Sequence, residues 1–242
     1  MSKRALLCVL CVTALFTANV FAVTRTVHKT LGPYYTVNDA LTAAVDGDVI
    51  EITDNSSAFV ESLYVTKNNI TIQGQAALNP KPMVQGVKMA HPLADSITAP
   101  QLWYWTPGMP NSGSKQFDTF GATVINAADG LTLRNLSLKC EPTSATTGTS
   151  TTGLLDFRFG NNGLVEDCNL DGSGVNTLGA EVAGADRATL TAHNHTFRNC
   201  YFYRGNITLE HQGYGTLTME NCVTTAPVHS IYIYGGTAVI EN

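Results

Sequence analysis

Acidic side chains recur at matched distances ahead of a repeated polar anchor in the second half of the chain. Asp156 lies 11 residues before Asp167, and Glu210 lies 11 residues before Asn221. Between them, Thr177-Leu-Gly-Ala-Glu-Val-Ala is the matching strand, which sets Glu181 at the same position. Tyr232 and Tyr234 continue the series toward the end of the sequence. With a side-chain period of two, Leu155, Phe157 and Phe159 face a core while Asp156 and Arg158 point outward together. The expectation is an outward stripe of Asp156, Arg158, Glu181, Glu210, Gln212, Tyr232 and Tyr234.

Such a stripe has definite chemistry. Carboxylates on adjacent strands stand about 5 Å apart and those two strands apart about 10 Å. The first spacing suits the acid pair of a retaining glycosidase, and the second slightly exceeds the inverting range. Close carboxylates also bind Ca²⁺, the one cofactor the pattern suggests. The simpler reading of Asp156 and Arg158 is an exposed salt bridge worth at most about 1 kcal/mol. Trp103, Tyr104 and Trp105 lie in a Pro- and Gly-rich stretch, where they either stack on sugar rings or pack over the body of the protein. No histidines show metal-ligand spacing, and His193 and His195 read as part of a polar insertion.

These residues must be carried by a repeat. Leu131-Thr-Leu-Arg-Asn-Leu, Gly163-Leu-Val-Glu-Asp-Cys, His195-Thr-Phe-Arg-Asn-Cys and Leu217-Thr-Met-Glu-Asn-Cys share one scheme, and Ala238-Val-Ile-Glu-Asn begins another copy. The anchors are Asn69, Asn135, Asp167, Asn199, Asn221 and Asn242. Their separations of 66, 32, 32, 22 and 21 read as three turns of 22, two turns with ten-residue insertions, and two plain turns. A period near 22 with three short strands per turn is the mark of a parallel solenoid, whose turns bury their inner faces only by stacking. Cys168, Cys200 and Cys222 share a ladder position with Leu136 and read as stacked core residues. A Cys200–Cys222 disulfide is compatible with the spacing of neighbouring turns. Before the repeat, Thr36 to Val45 reads as a short helix capped by Thr36.

Tyr35-Thr-Val-Asn-Asp-Ala-Leu-Thr-Ala-Ala-Val-Asp-Gly-Asp-Val-Ile-Glu-Ile, Lys67-Asn-Asn-Ile-Thr-Ile-Gln-Gly and the Asn-Cys turns together resemble the right-handed parallel β-helix of the pectate-lyase-like superfamily. The resemblance implies an all-β solenoid whose first segment is a short N-terminal capping helix. It leaves the chemistry open, because that superfamily contains lyases, hydrolases, esterases and inert surface proteins. Locally, Leu155-Asp-Phe-Arg-Phe-Gly-Asn resembles a phrase of pectin methylesterases in which the Asp is the nucleophile, a role it would imply for Asp156. The sequence has no Gln-Asp-Thr segment for that family's acid Asp and no Gly-Arg-Pro-Trp segment for its substrate Arg.

Composition sets the remaining bounds. The 242 residues carry a formal net charge of −5 with 14% charged residues, which argues against disorder, a coiled coil or a nucleic-acid partner. Lys3 and Arg4, the apolar run Ala5–Phe16 and Val20-Phe21-Ala22 form a signal peptide over residues 1–22. Residues 23–242 then form one exported β-helix domain without a transmembrane segment, interrupted by a long insertion at about 75–120. Its last phrase stops inside a repeat, so the domain reads as incomplete at its C-terminus. The function expected is a secreted, periplasmic or cell-surface protein acting on or binding a polysaccharide or surface glycan, as a lyase or glycoside hydrolase with a groove along the strand face. A lyase needs a basic proton abstractor, and only Arg158, Arg187 and Arg204 are close. The alternative is a non-catalytic adhesin-type repeat protein.

Overall fold

The computed structural model describes residues 22–87, 123–140, 152–157, 160–172, 177–182, 193–203, 207–211, 215–225, 229–233 and 236–242. Residues 1–21 of the signal segment, Trp103, Tyr104, Trp105, Arg158, Gln212 and Tyr234 lie outside these residues, and for Glu181, Glu210 and Tyr232 the description is of the backbone.

Alternating apolar residues form three sheets in which every pairing is parallel. An eight-stranded sheet runs β1 (Thr24–Val27), β2 (Val49–Ile52), β5 (Thr71–Gly74), β8 (Thr132–Arg134), β12 (Gly163–Glu166), β15 (His195–Arg198), β18 (Thr216–Glu220) and β21 (Thr237–Glu241). A six-stranded sheet stacks β3 (Phe59–Val60), β6 (Met83–Gln85), β9 (Ser137–Lys139), β13 (Asn169–Asp171), β16 (Tyr201–Tyr203) and β19 (Val223–Thr225). The third sheet follows β4 (Leu63–Val65), β7 (Val124–Asn126), β11 (Leu155–Asp156), β14 (Thr177–Val182), β17 (Ile207–His211) and β20 (His229–Ile233), with β10 (Thr152–Gly153) also pairing β14. Strand order within each sheet rises with chain order, so the chain winds as a parallel β-helix with one strand in each sheet per turn.

The core is the set of inward rows. Ile50, Ile72, Leu133, Val165, Phe197 and Met219 are register partners across successive turns, and all are buried. Phe59, Val84, Leu138, Leu170 and Phe202 form the matching row of the six-stranded sheet. At the first turn lies α1 (Val37–Ala43), buried through Val37, Ala40 and Leu41. Thr36 is its N-cap, its hydroxyl accepting the Asp39 N–H at 3.0 Å. The Glu61 carboxylate accepts the Val37 and Asn38 N–H groups at 2.9 Å each, so the helix start is satisfied from the next turn. Asp48, fully buried, accepts from Arg25 at 2.7 Å and from the Val23 and Val45 backbones at 2.9 and 3.0 Å.

The corners explain the anchors. Asn135, Asp167, Asn199 and Asn221 all have φ near +50°, the left-handed region that asparagine and aspartate tolerate best after glycine. They pass hydrogen bonds along the coil, with Asn199 Nδ2 donating to Asp167 Oδ1 at 3.1 Å and Asn135 Nδ2 to the Gly74 carbonyl at 3.1 Å. Asn69 does not belong to this column. It precedes β5, where the pairing sets it beside Gly130 and Asn162, at a second left-handed corner with φ +56°, +74° and +55°. Gly74 takes the anchor position instead. The 66 residues from Asn69 to Asn135 are therefore not three turns, because β5 pairs directly with β8. The stretch expected as one insertion from about 75 also contains β6, paired with β3 and β9.

Two further expectations change. Cys168 and Cys200 are buried as expected, Cys222 is half-buried, and all three are free thiols. Each Sγ donates to the carbonyl two residues back and to one on the preceding turn, at 3.2 and 3.7 Å for Cys168 and 3.3 and 3.4 Å for Cys200. His193 and His195 are not in a polar insertion. His195 begins β15, is 2% exposed, and faces the core against Phe157 with ring centroids 5.3 Å apart. Gly163, its register partner one turn earlier, leaves the room: a Cβ there would stand 2.8 Å from His195 Nδ1.

Candidate functional site

Four of the stripe's residues are brought into one row by the third sheet. Asp156 pairs with Glu181, Glu181 with Glu210, and Glu210 with Tyr232, across four consecutive strands. The row extends the other way through Ile125 to Tyr64. Adjacent members are separated by one strand spacing, about 4.8 Å, because parallel pairing without a bulge keeps equal positions abreast. Leu155 and Phe157 belong to the core cluster, as the alternation expects of them, and so does Leu154.

The exposure of Asp156 is not as expected. Asp156 is fully buried, so an exposed salt bridge with Arg158 is excluded. Ile125, its partner in the row, is also 0% exposed while standing outside the core cluster. The outer face of the sheet is therefore covered at this point, whereas Tyr64 one strand further is half-buried. Burial pushes the Tyr64 phenol above its usual value. A carboxyl without solvent is tolerated only when hydrogen bonds or opposite charge replace water, and Asp156 has such an interaction.

Sequence reasoning overlooked the residues beneath this position. Asn126 is buried beside Ile125, its Oδ1 accepting the Ala128 N–H at 3.2 Å, and its Nδ2 has no hydrogen-bond partner among the described residues. A Cβ at Gly160 would meet the Ala128 carbonyl at 2.1 Å and Asn126 Nδ2 at 2.4 Å, so only glycine fits there. The glycine of the Phe-Gly-Asn phrase was the available signal. Among the described residues no three His, Cys, Asp or Glu side chains gather as a metal site. Glu181 and Glu210, whose side chains are not described, are the residues of the row that would join Asp156 in holding Ca²⁺.

The eight-stranded sheet carries a second electrostatic pattern on its outer face. Arg134, Glu166, Arg198 and Glu220 are successive register partners of alternating sign. Arg134 Nε donates to Glu166 at 2.8 Å, and Arg198 donates to Glu220 at 2.5 Å and to Glu166 at 3.3 Å. Burial opposes ionisation of Glu166, but the two guanidinium hydrogen bonds outweigh it and hold the carboxyl below its usual range. Beside this ladder, Leu164, Thr196 and Thr218 floor a shallow groove of about 350 Å³ between Asn162, Asn194 and Arg198. Its charges are already paired, so the groove has no free ion to recognise a ligand.

No protein-family model matches the chain, and no curated protein does. Solved structures similar in fold include pectin methylesterases. One, bound to a hexasaccharide, is 13% identical with a TM-score of 0.49, covering 84% of this chain and 66% of its own. A second, from Erwinia chrysanthemi, is 12% identical at a TM-score of 0.48, covering 86% and 67%. A third, from Aspergillus niger, is 12% identical at 0.49, covering 89% and 85%. The chain thus spans about two thirds of the first two. At these identities the likeness concerns the fold, and the β-helix itself stands on the pairings above.

Proposed function

We propose that this is an exported β-helix protein that binds and hydrolyses a polysaccharide along the outer face of the third sheet. The observation that carries the reading is the unbroken register Asp156–Glu181–Glu210–Tyr232. Neighbouring carboxylates one strand apart fall near the separation of about 5–5.5 Å used by retaining glycosidases. In that arrangement one carboxyl protonates the glycosidic oxygen while its neighbour attacks the anomeric carbon, and water then releases the sugar from the enzyme. Glu181 and Glu210 are that pair, and Asp156, buried where the sheet's outer face is covered, stands beside Glu181 in the row. Tyr232 offers an aromatic surface for the next sugar ring. A run of strands stacked at about 4.8 Å also matches an extended chain lying along the coil axis, which favours a polymer over a small substrate. The pectin methylesterases named above include one in complex with a hexasaccharide, which supports choosing a polysaccharide as the probe.

Ca²⁺ bridging an acidic sugar to the carboxylate row belongs to the lyase form of the same reading. No helix among the described residues is long and apolar enough to cross a membrane. The test is a polysaccharide panel, including pectins, assayed with and without Ca²⁺ for reducing ends, unsaturated ends and released methanol. Reducing ends lost at least 100-fold in both Glu181→Gln and Glu210→Gln, with folding retained, are the expected result. Turnover unchanged in both variants would overturn the assignment. Unsaturated ends that require Ca²⁺ would replace hydrolysis by elimination, and methanol release would replace it by ester cleavage. Glycan binding without turnover would leave the adhesin-type alternative.

A further inference from the structure

The column of sulfur atoms inside the coil carries an inference independent of the carboxylate row. We propose that Cys200 and Cys222 form a covalent clip between adjacent turns when the protein meets a disulfide oxidant.

Register supplies the geometry. Tyr201 pairs with Val223 and the Val223 N–H donates to the Cys200 carbonyl at 2.9 Å, so Cys200 and Cys222 are immediate axial neighbours. One strand spacing, about 4.8 Å, lies inside the Cα separation of 4.4–6.8 Å that a disulfide spans. The two thiols already meet, with Cys200 hydrogen-bonded to Cys222. Cys168 is also an axial neighbour of Cys200, through the Asn169–Tyr201 pair. All three Sγ atoms make the same two carbonyl contacts, and what sets Cys168 apart is that it is fully buried whereas Cys222 is half-buried.

Chemistry separates the three further. Burial pushes the Cys168 thiol up to about 12, so it stays protonated. The hydrogen bond shared with Cys222 and then burial push the Cys200 thiol up as well. The same bond lowers Cys222 to about 7, more than offsetting its own partial burial. Cys222 is therefore the thiolate of the pair, and it is half-buried where Cys200 is 2% exposed. With a small disulfide such as oxidised glutathione as the electron acceptor, the Cys222 thiolate attacks one sulfur and expels one glutathione thiolate, leaving a mixed disulfide. Cys200 then loses its proton and attacks Cys222 Sγ, expelling the second glutathione thiolate. Two protein thiols are oxidised, one glutathione disulfide is reduced to two thiols, and two protons leave Cys200 and Cys222 overall.

The experiment is incubation of the full chain with oxidised glutathione, followed by alkylation, digestion without reductant and mass mapping. A cross-linked peptide pair containing Cys200 and Cys222, lighter than their sum by two hydrogens, is expected, with Cys140 and Cys168 still alkylated after unfolding. Cys168→Ser should keep the bridge. Cys200→Ser should stop at the glutathione adduct on Cys222, and Cys222→Ser should leave Cys200 reduced. Circular dichroism confirms that each variant is folded. The proposal is overturned if Cys200 and Cys222 both remain alkylatable, if the bridge joins Cys168 to Cys200, or if Cys222 links only to a second chain. Because glycan turnover is not the readout, failure here leaves the carboxylate-row reading untouched.

Discussion

Replacing Gly163 by Ala tests whether His195 is a close-packed core residue. The new Cβ would stand 2.8 Å from His195 Nδ1 and 3.1 Å from two carbons of the Phe157 ring. Ordinary contacts begin near 3.4 Å, so the imidazole must retreat, and overpacking of this kind costs about 1–3 kcal/mol. The retreat also lengthens the bond in which the Gly163 N–H donates to His195 Nδ1 at 3.2 Å. Such a bond is worth about 1 kcal/mol, so the expected loss is about 2–4 kcal/mol. Urea unfolding followed by circular dichroism, compared by midpoints, measures it. His195→Ala alone should destabilise by a similar amount through the cavity it leaves, about 2–4 kcal/mol. The decisive variant is the double one. If the two residues oppose each other as the register says, Gly163→Ala adds little once the imidazole is gone, because its Cβ moves into vacated space. Full additivity of the two single losses would refute the packing argument.

Other expectations follow from the charged groups and the tight corners. Asp48→Ala should destabilise by about 3–5 kcal/mol in denaturant titration, since it strands Arg25 and frees the Val23 and Val45 N–H groups. For Asp48, Asp54 and Glu166, burial alone would raise the carboxyl, but hydrogen bonds outweigh it and hold each below its ordinary value. Depressed folded values mean stability is fully present above the unfolded range near pH 4 and is lost as pH falls through the folded values. A Tm profile that falls on acidification below pH 4–5 and flattens in Asp48→Asn checks this. Gly160→Ala should cost at least about 2–3 kcal/mol in the same titration, because its Cβ would strike the Ala128 carbonyl at 2.1 Å.

Most of the architecture is legible in the repeat. Asn135, Asp167, Asn199 and Asn221 announce the left-handed corner because few other residues accept that backbone at low cost. The apolar residues two apart announce inward rows, and Thr36 with Asp39 announces the helix start. The matched spacing of Asp156, Glu181 and Glu210 even places these three positions abreast. Each of these signals is local, or repeats at the period of one turn. Asn69 misled because asparagine serves two corners, and only strand pairing distinguishes them. His195 misled because a polar residue near an insertion resembles a surface one until the glycine one turn below it is known.

The amino-acid sequence by itself determined that this chain coils, where its corners fall and which residues alternate inward, since these depend on backbone preference and period. Tertiary structure decided what the rows meet. Asp156 stands in register between Ile125 and Glu181, and it is fully buried, which its alternation with Leu155 and Phe157 does not announce. Cys200 lies beside Cys222 because a turn of 22 residues brings the two positions into register. Burial and axial contact are properties of segments brought together from a distance, and no period along the chain encodes them.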